Sequence, residues 1–336
     1  MTRFCNNSMM DDPRVETVRY FVLVLYLATF VFGLVGNSLT ILVLIGGKKI
    51  KNVASCFILN LAIADDLFVI CLPFTAYSTF VRNWVFGSIV CKMLNAFWSI
   101  NLYASIYIMT LMSVDRYLAV VHPLKSIRYR TSRNVFIVCV VIWTSCFVIS
   151  TPLWMYSEVS SNNQSVRCSI HWPDTTKLEH LWFWTMFELC LCFVLPIIVM
   201  TVCYSRLLYC VIKKTIDSRR GQGGKSPLRR VTTMVFIVSF VFVVCWSPYH
   251  VMKVVGVYKT QTVDPSRPPV PDMRYTVLYI LSQVLVYISS CCNPFIYFIT
   301  STDFRKYLLY NPIVYIVIII IVVVVIIMII VLVMSS

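Results

Sequence analysis

Three groups of ionisable residues stand within, or at the ends of, long apolar runs, and their surroundings limit the chemistry open to them. Asp115, Arg116 and Tyr117 sit where the run in LMSVDRYLAVVHPLK stops being apolar. Asp65 interrupts LAIADDLFVI, and Glu188, His250 and Lys253 interrupt two later runs. A charge inside such a run is costly, so it is expected to pair, to line a cavity or to serve a working part. At the edge of a run, a long base can instead snorkel out to water. The chemistry in view is therefore ion pairing and buried hydrogen bonding, and its meaning depends on which way each run points.

The runs themselves are membrane spans. With 59% hydrophobic and 13% charged residues, the 336-residue chain does not have the composition of a soluble domain. About 20 mostly apolar residues cross a bilayer core as a helix. Seven such stretches are expected near 20–46, 54–80, 88–121, 134–157, 181–213, 229–258 and 274–300. They imply an all-α membrane protein: an outer segment 1–19, a seven-helix bundle 20–300, a short amphipathic helix 301–310 (DFRKYLLY) and a tail 311–336. An enzyme or an adhesive receptor would need a domain outside the spans, and no room is left for one, so no enzymatic activity is expected. A transporter or channel would show paired ionisable residues or inverted repeats along a path, and no such repeat is visible.

Orientation follows from the bases. Lys48, Lys49, Lys51, Lys125, Arg128, Arg130, Arg133, Lys213, Lys214, Arg219, Arg220, Lys225, Arg229, Arg230, Arg305 and Lys306 flank one set of span ends. Most acids outside the spans flank the other: Asp11, Asp12, Glu16, Glu158, Asp174, Glu179, Asp264 and Asp272. Because positive charge stays inside, the amino terminus is expected outside and residues after 300 in the cytoplasm. The net charge of +15 then needs no nucleic acid to explain it. No cleavable signal is expected, since the first apolar run is long enough to be the anchor. Two glycosylation triplets, at Asn6 and Asn163, fall on the outer side. Of fourteen cysteines most lie within spans, where Cys is a small buried hydrophobe. Cys91 and Cys168 are the pair placed to bond in an oxidising compartment, and Cys5 is left without an obvious outer partner.

With Asp115-Arg116-Tyr117 at the inner end of the third span, a set of motifs agrees in order and spacing. These are Gly36-Asn37, Leu61-Ala62-Ile63-Ala64-Asp65, Cys91, Trp143, Pro196, Tyr204, Cys245-Trp246-Ser247-Pro248 and Asn293-Pro294-Phe295-Ile296-Tyr297. Over residues 20–310 the chain resembles a rhodopsin-like (class A) G protein-coupled receptor. The stretches DRYLAVVHPLKSIRYRTSRN, RRVTTMVFIVSFVFVVCWSPYHV, with Thr232, and LSQVLVYISSCCNPFIYF resemble the somatostatin, opioid, galanin and allatostatin C branch of neuropeptide receptors.

The resemblance implies roles for particular residues. Asp115 would restrain Arg116 at rest, and activation would free Arg116, with Tyr117 and Leu124, to meet a heterotrimeric G protein, inhibitory-class in this branch. Leu228, Arg229 and Arg230 stand where many receptors place an acid that clamps this arginine, so that clamp is expected to be missing. Asp65, Asn101, Ser105 and Asn293 resemble a sodium pocket that favours the resting state; a protonated Asp65 bonded only to its neighbours is the bland alternative. Ile106, Pro196, Tyr204, Phe242, Trp246, Pro248, Pro294 and Tyr297 would form the activation switch. Each proline removes a helix hydrogen bond and allows a bend, whether a hinge or a static kink.

Ligand class is read from the outer halves. Trp98 lies eighteen residues before Arg116, five turns and about 27 Å away on the same face of the third span. An amine receptor would carry an aspartate at that position, as would somatostatin and opioid receptors in the strict sense, so both are disfavoured. Retinal is excluded, because Tyr287 stands where a visual pigment needs a lysine. Phe242, Trp246, His250 and Lys253 recur at i, i+4, i+8 and i+11 and share a stripe. Glu188, eight residues before Pro196, is expected either to face that stripe as a substitute anion, binding a basic ligand residue or forming an internal ion pair that the ligand must rearrange, or to lie outward near the headgroups. Trp98, Glu188, His250, Lys253 and Tyr287 are thus the candidate ligand contacts. The expected function is a plasma-membrane neuropeptide receptor, with a lipid or other non-peptide ligand as the alternative. The tail contains 22 successive apolar residues, Ile313 to Met334. They would make either an eighth span or a gene-model artefact from an AT-rich repeat read through a splice boundary. With Ser335 and Ser336 as its only serines or threonines, the tail offers little to an arrestin.

Overall fold

The computed structural model describes residues 13–47, 52–162, 165–173, 177–217, 227–262 and 273–311, and positions 314, 316, 318, 319, 322 and 323 beyond them. Seven helical segments among these are long and apolar enough to cross a membrane: Glu16–Gly46, Val53–Val81, Gly87–Val121, Ser132–Met155, Leu178–Lys213, Val231–Thr262 and Arg274–Thr300. All seven expected spans are present. Their apolar residues run around the whole circumference, as befits helices that face protein on one side and acyl chains on the other. Phe136, Val148, Val24 and Phe240 stand exposed on outer faces; in water they would form an aggregating surface, and in a bilayer they meet lipid.

In chain order the helices are α1 (Pro13–Gly46), α2 (Val53–Val69), α3 (Leu72–Val81), α4 (Gly87–Val121), α5 (Pro123–Ser126), α6 (Ser132–Met155), α7 (Lys177–Leu189), α8 (Leu195–Asp217), α9 (Pro227–Thr262), α10 (Met273–Thr300) and α11 (Thr302–Tyr310). Two expected spans are not single helices. The second breaks between α2 and α3, beside Pro73, which has no N–H for the carbonyl one turn earlier. The fifth joins α7 to α8 through a π-helical turn, Cys190–Val194, just before Pro196. That turn leaves the Leu191 carbonyl free to accept the Tyr107 hydroxyl at 3.2 Å.

Helix α4 is the axis of the bundle and packs against the second, fourth, fifth and sixth spans. Polar residues knit the spans where lipid cannot. Trp143 Nε1 donates to Asn60 Oδ1 at 2.9 Å, and Asn37 Nδ2 donates to the Ser290 carbonyl at 3.2 Å. Hydroxyls within spans, such as Thr40, Thr110 and Ser239, return to the carbonyl four residues back, which satisfies them without a distant partner. Gly36 lies against Pro294, where a Cβ would come within 2.9 Å of the ring.

The connection between the fourth and fifth spans contains a hairpin. Strand β1 (Ser157–Asn162) pairs antiparallel with β2 (Ser165–Ile170), Val159 opposite Cys168. The Cys91–Cys168 disulfide ties it to the start of α4. The Trp84 N–H donates to the Val166 carbonyl at 2.9 Å, and Asn83 Oδ1 accepts the Val166 N–H at 2.8 Å, so the first connection on this side closes on the hairpin. At the other end, Ser301 caps α11 by accepting the Phe304 N–H, and the expected amphipathic helix at 301–310 is there. The described positions between 314 and 323 are helical. The rest of the 311–336 tail, Asn6, Asn163, Cys5 and the side chains of Leu228, Arg229 and Arg230 lie outside the described residues.

Candidate functional site

The C-terminal end of α4 holds a buried cluster of charge. Arg116, 4% exposed, bonds the neighbouring Asp115 carboxylate. Arg130, from the connection after α5, forks onto the same carboxylate, with Nε 2.6 Å from Oδ1 and an Nη 3.3 Å from Oδ2. One acid thus serves two guanidinium groups, a planar geometry that Arg is built to make. Tyr117 OH meets His122 Nε2 at 3.3 Å. Leu124, on α5, stands 85% exposed, an apolar side chain presented outward beside this cluster.

At mid-depth, Asp65 is 1% exposed. Asn293 Nδ2 donates to its Oδ2 at 2.7 Å and Asn101 Nδ2 to its Oδ1 at 3.4 Å. Asn101 also donates to Ser105 Oγ at 3.3 Å, so Ser105 reaches the acid through Asn101. Asn101 Oδ1 has no hydrogen-bond partner. Farther from the disulfide, Ser113 Oγ donates to Tyr204 OH at 2.9 Å, and Tyr204 OH meets Ser239 Oγ at 3.3 Å, joining the third, fifth and sixth spans. Phe242 stacks on Trp246 at 5.1 Å, and Trp246 Nε1 donates to Ser289 Oγ at 3.1 Å. Ile106 and Pro196 are buried, and Tyr297 is buried with its hydroxyl unpartnered. Pro248 and Pro294 lie inside continuous helices.

In the half of the bundle nearer the disulfide, Trp98 stands where an amine receptor would carry an aspartate. Its ring sits 5.1 Å from Phe68, 5.4 Å from Tyr287 and 5.6 Å from Tyr249. Phe68 and Tyr287 stack at 4.3 Å. This side of the bundle is an aromatic plug, with Tyr287 2% exposed. The charges are on the other side. Glu188, on α7, is 3% exposed and accepts a hydrogen bond from Lys253 Nζ on α9. It faces the sixth span and not the headgroups. His250, one turn before Lys253 on α9, lies 4.4 Å from the Phe193 ring, and its Nε2 is unpartnered.

An aromatic-walled half beside the disulfide, a mid-depth acid held by two asparagines and an arginine caged at the opposite end lie along one seven-helix bundle. The chain matches the 7 transmembrane receptor (rhodopsin family) over residues 36–297. It belongs to that family. Pig somatostatin receptor type 2 is 33% identical over 305 residues, covering 90% of this chain and 79% of the relative. Bovine somatostatin receptor type 5 is 35% identical over 283 residues, 84% and 73% of the two chains. The C-C chemokine receptor type 1 of Macaca fascicularis is 31% identical over 292 residues, 84% and 77%.

Several residues of this rhodopsin-family receptor escaped sequence reasoning. Arg130 is one base among many flanking one set of span ends, and nothing in its spacing marks it as a partner of Asp115. Ser289 and Tyr249 carry no charge. Asp66 is adjacent to Asp65 and so points a different way; it accepts the Ser38 hydroxyl at 3.0 Å, on the side facing the first span. The signal for Asp66 was present, because a second acid in an apolar run is as costly as the first.

Proposed function

We propose that this receptor sits in the plasma membrane with its amino terminus outside. It binds an extracellular neuropeptide of somatostatin, allatostatin C or galanin type and activates an inhibitory-class heterotrimeric G protein. The observation that carries the reading is similarity to somatostatin receptors over more than four fifths of the chain. The geometry is consistent with transmission along α4, which joins Trp98 at one end to the Asp115–Arg116–Arg130 cluster at the other. The disulfide end belongs in an oxidising compartment, in agreement with the distribution of bases.

Binding outside would act through Trp246, whose stacking on Phe242 and bond to Ser289 tie the sixth span to the seventh. Movement of the inner half of α9 would break the Tyr204 contact to Ser239 and open the way to Arg116. A G protein tail would then compete with Asp115 for Arg116, with Leu124 as an apolar contact. The residues around Asp65 fit a sodium ion: all the donors are hard oxygens, the acid is buried, and Asn101 Oδ1 is free to face a cation. Asp65, Asn101, Ser105 and Asn293 would hold it, and its charge would stabilise the packing of the second, third and seventh spans at rest.

The test is inhibition of cyclic AMP formation in cells expressing the full chain, challenged with somatostatin-like, allatostatin-like and galanin-like peptides. A response abolished by Arg116→Ala is expected. Silence to every peptide with the receptor at the surface, together with activation by a lipid extract, would overturn it in favour of a lipid ligand, which the apolar plug around Trp98 would suit.

A further inference from the structure

The Glu188–Lys253 pair joins two spans in the outer half of the bundle, and its partners are not equivalent. The Glu188 side chain is 4% exposed, and that of Lys253 is 19% exposed. Around them are polar atoms without hydrogen-bond partners: Tyr103 OH, Thr185 Oγ1 and His250 Nε2, each on a residue no more than 2% exposed. Thr185 lies one turn from Glu188 on α7, and His250 one turn from Lys253 on α9, so each shares a face with a charged partner. Tyr103, Tyr249 and Tyr279 lie within electrostatic range of the Glu188 carboxylate, and the Lys253 ammonium stands 5.8 Å over the Tyr249 ring.

We propose that this pair is an exchange site at which a guanidinium or ammonium group of the ligand takes the Glu188 carboxylate from Lys253. The inference rests on the reading of the chain as a receptor with its ligand in the outer half. Direction follows from exposure. Removing one partner of a buried pair is strongly unfavourable because the other is left as an uncompensated charge. A cationic ligand frees Lys253, whose flexible stem can carry its ammonium out to water. An anionic ligand would free Glu188, which has no such route. The orphan hydroxyls of Tyr103 and Thr185 can orient toward an arriving N–H group as acceptors, and tyrosine faces accept a cation. Trp98, Phe68 and Tyr287 fill the adjoining part of the bundle, with Tyr249 between Trp98 and Lys253, so the basic group is received between the fifth and sixth spans.

The test needs no knowledge of the natural ligand. Purified full-length receptor is treated with n-butylguanidinium or n-butyrate, and acylation of Lys253 by a water-soluble amine reagent is followed by mass spectrometry. Butylguanidinium is expected to raise Lys253 acylation several-fold in the wild type and butyrate to leave it unchanged or lower. In Lys253→Ala, whose unpaired Glu188 lowers thermal stability, butylguanidinium is expected to restore stability. In Glu188→Gln/Lys253→Ala it is expected to do nothing. Stabilisation of Lys253→Ala by butyrate, or no effect of butylguanidinium on wild-type acylation, overturns the exchange; the second measurement stands even where the variants do not fold. A positive result with no response to any neuropeptide would keep the exchange site and discard the peptide reading. Peptide responses with a negative probe result would do the reverse.

Discussion

Single side chains hold the charged cluster at the C-terminal end of α4, and the Asp115 carboxylate, which would restrain Arg116 at rest, is the clearest case because two arginines divide it. Removing Arg130 leaves Asp115 to Arg116 alone and strengthens that restraint. A charge-assisted bond contributes about 1.5–3 kcal/mol, and the partial exposure of Arg130 reduces this to roughly 1 kcal/mol. Arg130→Ala should therefore lower ligand-independent nucleotide exchange on the G protein about fivefold, and Asp115→Asn, which frees Arg116, should raise it. An increase with Arg130→Ala would show that this guanidinium restrains Arg116 instead of competing with it. Asp65 supports a second expectation at the same scale. If sodium is held there, raising sodium at constant ionic strength should reduce basal exchange in the wild type and leave Asp65→Asn unaffected. Equal sodium sensitivity in the two would leave Asp65 as a merely hydrogen-bonded acid.

Elements transmit what residues hold, and their fit is set by a few close approaches. The first and seventh spans meet at Gly36 and Pro294, where a methyl group would come within 2.9 Å of ring carbons. Neither the helix backbone nor the pyrrolidine ring can give way cheaply. Gly36→Ala should cost about 1–3 kcal/mol through overpacking, measured as a lowered midpoint of thermal inactivation. An unchanged midpoint would mean that the two spans can separate without loss. The Gly36-Asn37 and Asn293-Pro294 motifs were legible as motifs, but that they are two sides of one contact is a matter of packing. The break beside Pro73 and the π turn before Pro196 were legible only in part. A proline announces a missing hydrogen bond, whereas the register adopted by the chain depends on acceptable partners nearby, as the Tyr107 hydroxyl is for the Leu191 carbonyl.

Across the whole molecule, the hairpin and the disulfide organise the face where ligand would arrive. The bond closes a sequence separation of 77 residues, and in the chain-entropy account a loop of that size is worth roughly 4 kcal/mol. It also holds β2 against Asn83 and Trp84. Cys168→Ser should sharply reduce surface display and any peptide response, read by surface labelling and cyclic AMP together. Normal display with lost response would assign the bond to ligand access alone; normal display with normal response would make the hairpin dispensable.

Composition and apolar run length determined the membrane environment, the seven spans and their approximate ends, because a bilayer imposes one length and one polarity on every crossing helix. Spacing along one helix also determined that Trp98 and Arg116 share a face, and the placement of two cysteines indicated their pairing. What only the tertiary structure decided is which groups on different helices meet. Periodicity places Glu188 on one helix face and Lys253 on another but says nothing of the rotation that turns those faces together. The same limit hid the Arg130 fork on Asp115, the bond of Trp246 to Ser289 and the aromatic plug around Trp98. Each is a contact between segments distant in the chain, made by packing many side chains at once, and no local pattern encodes it.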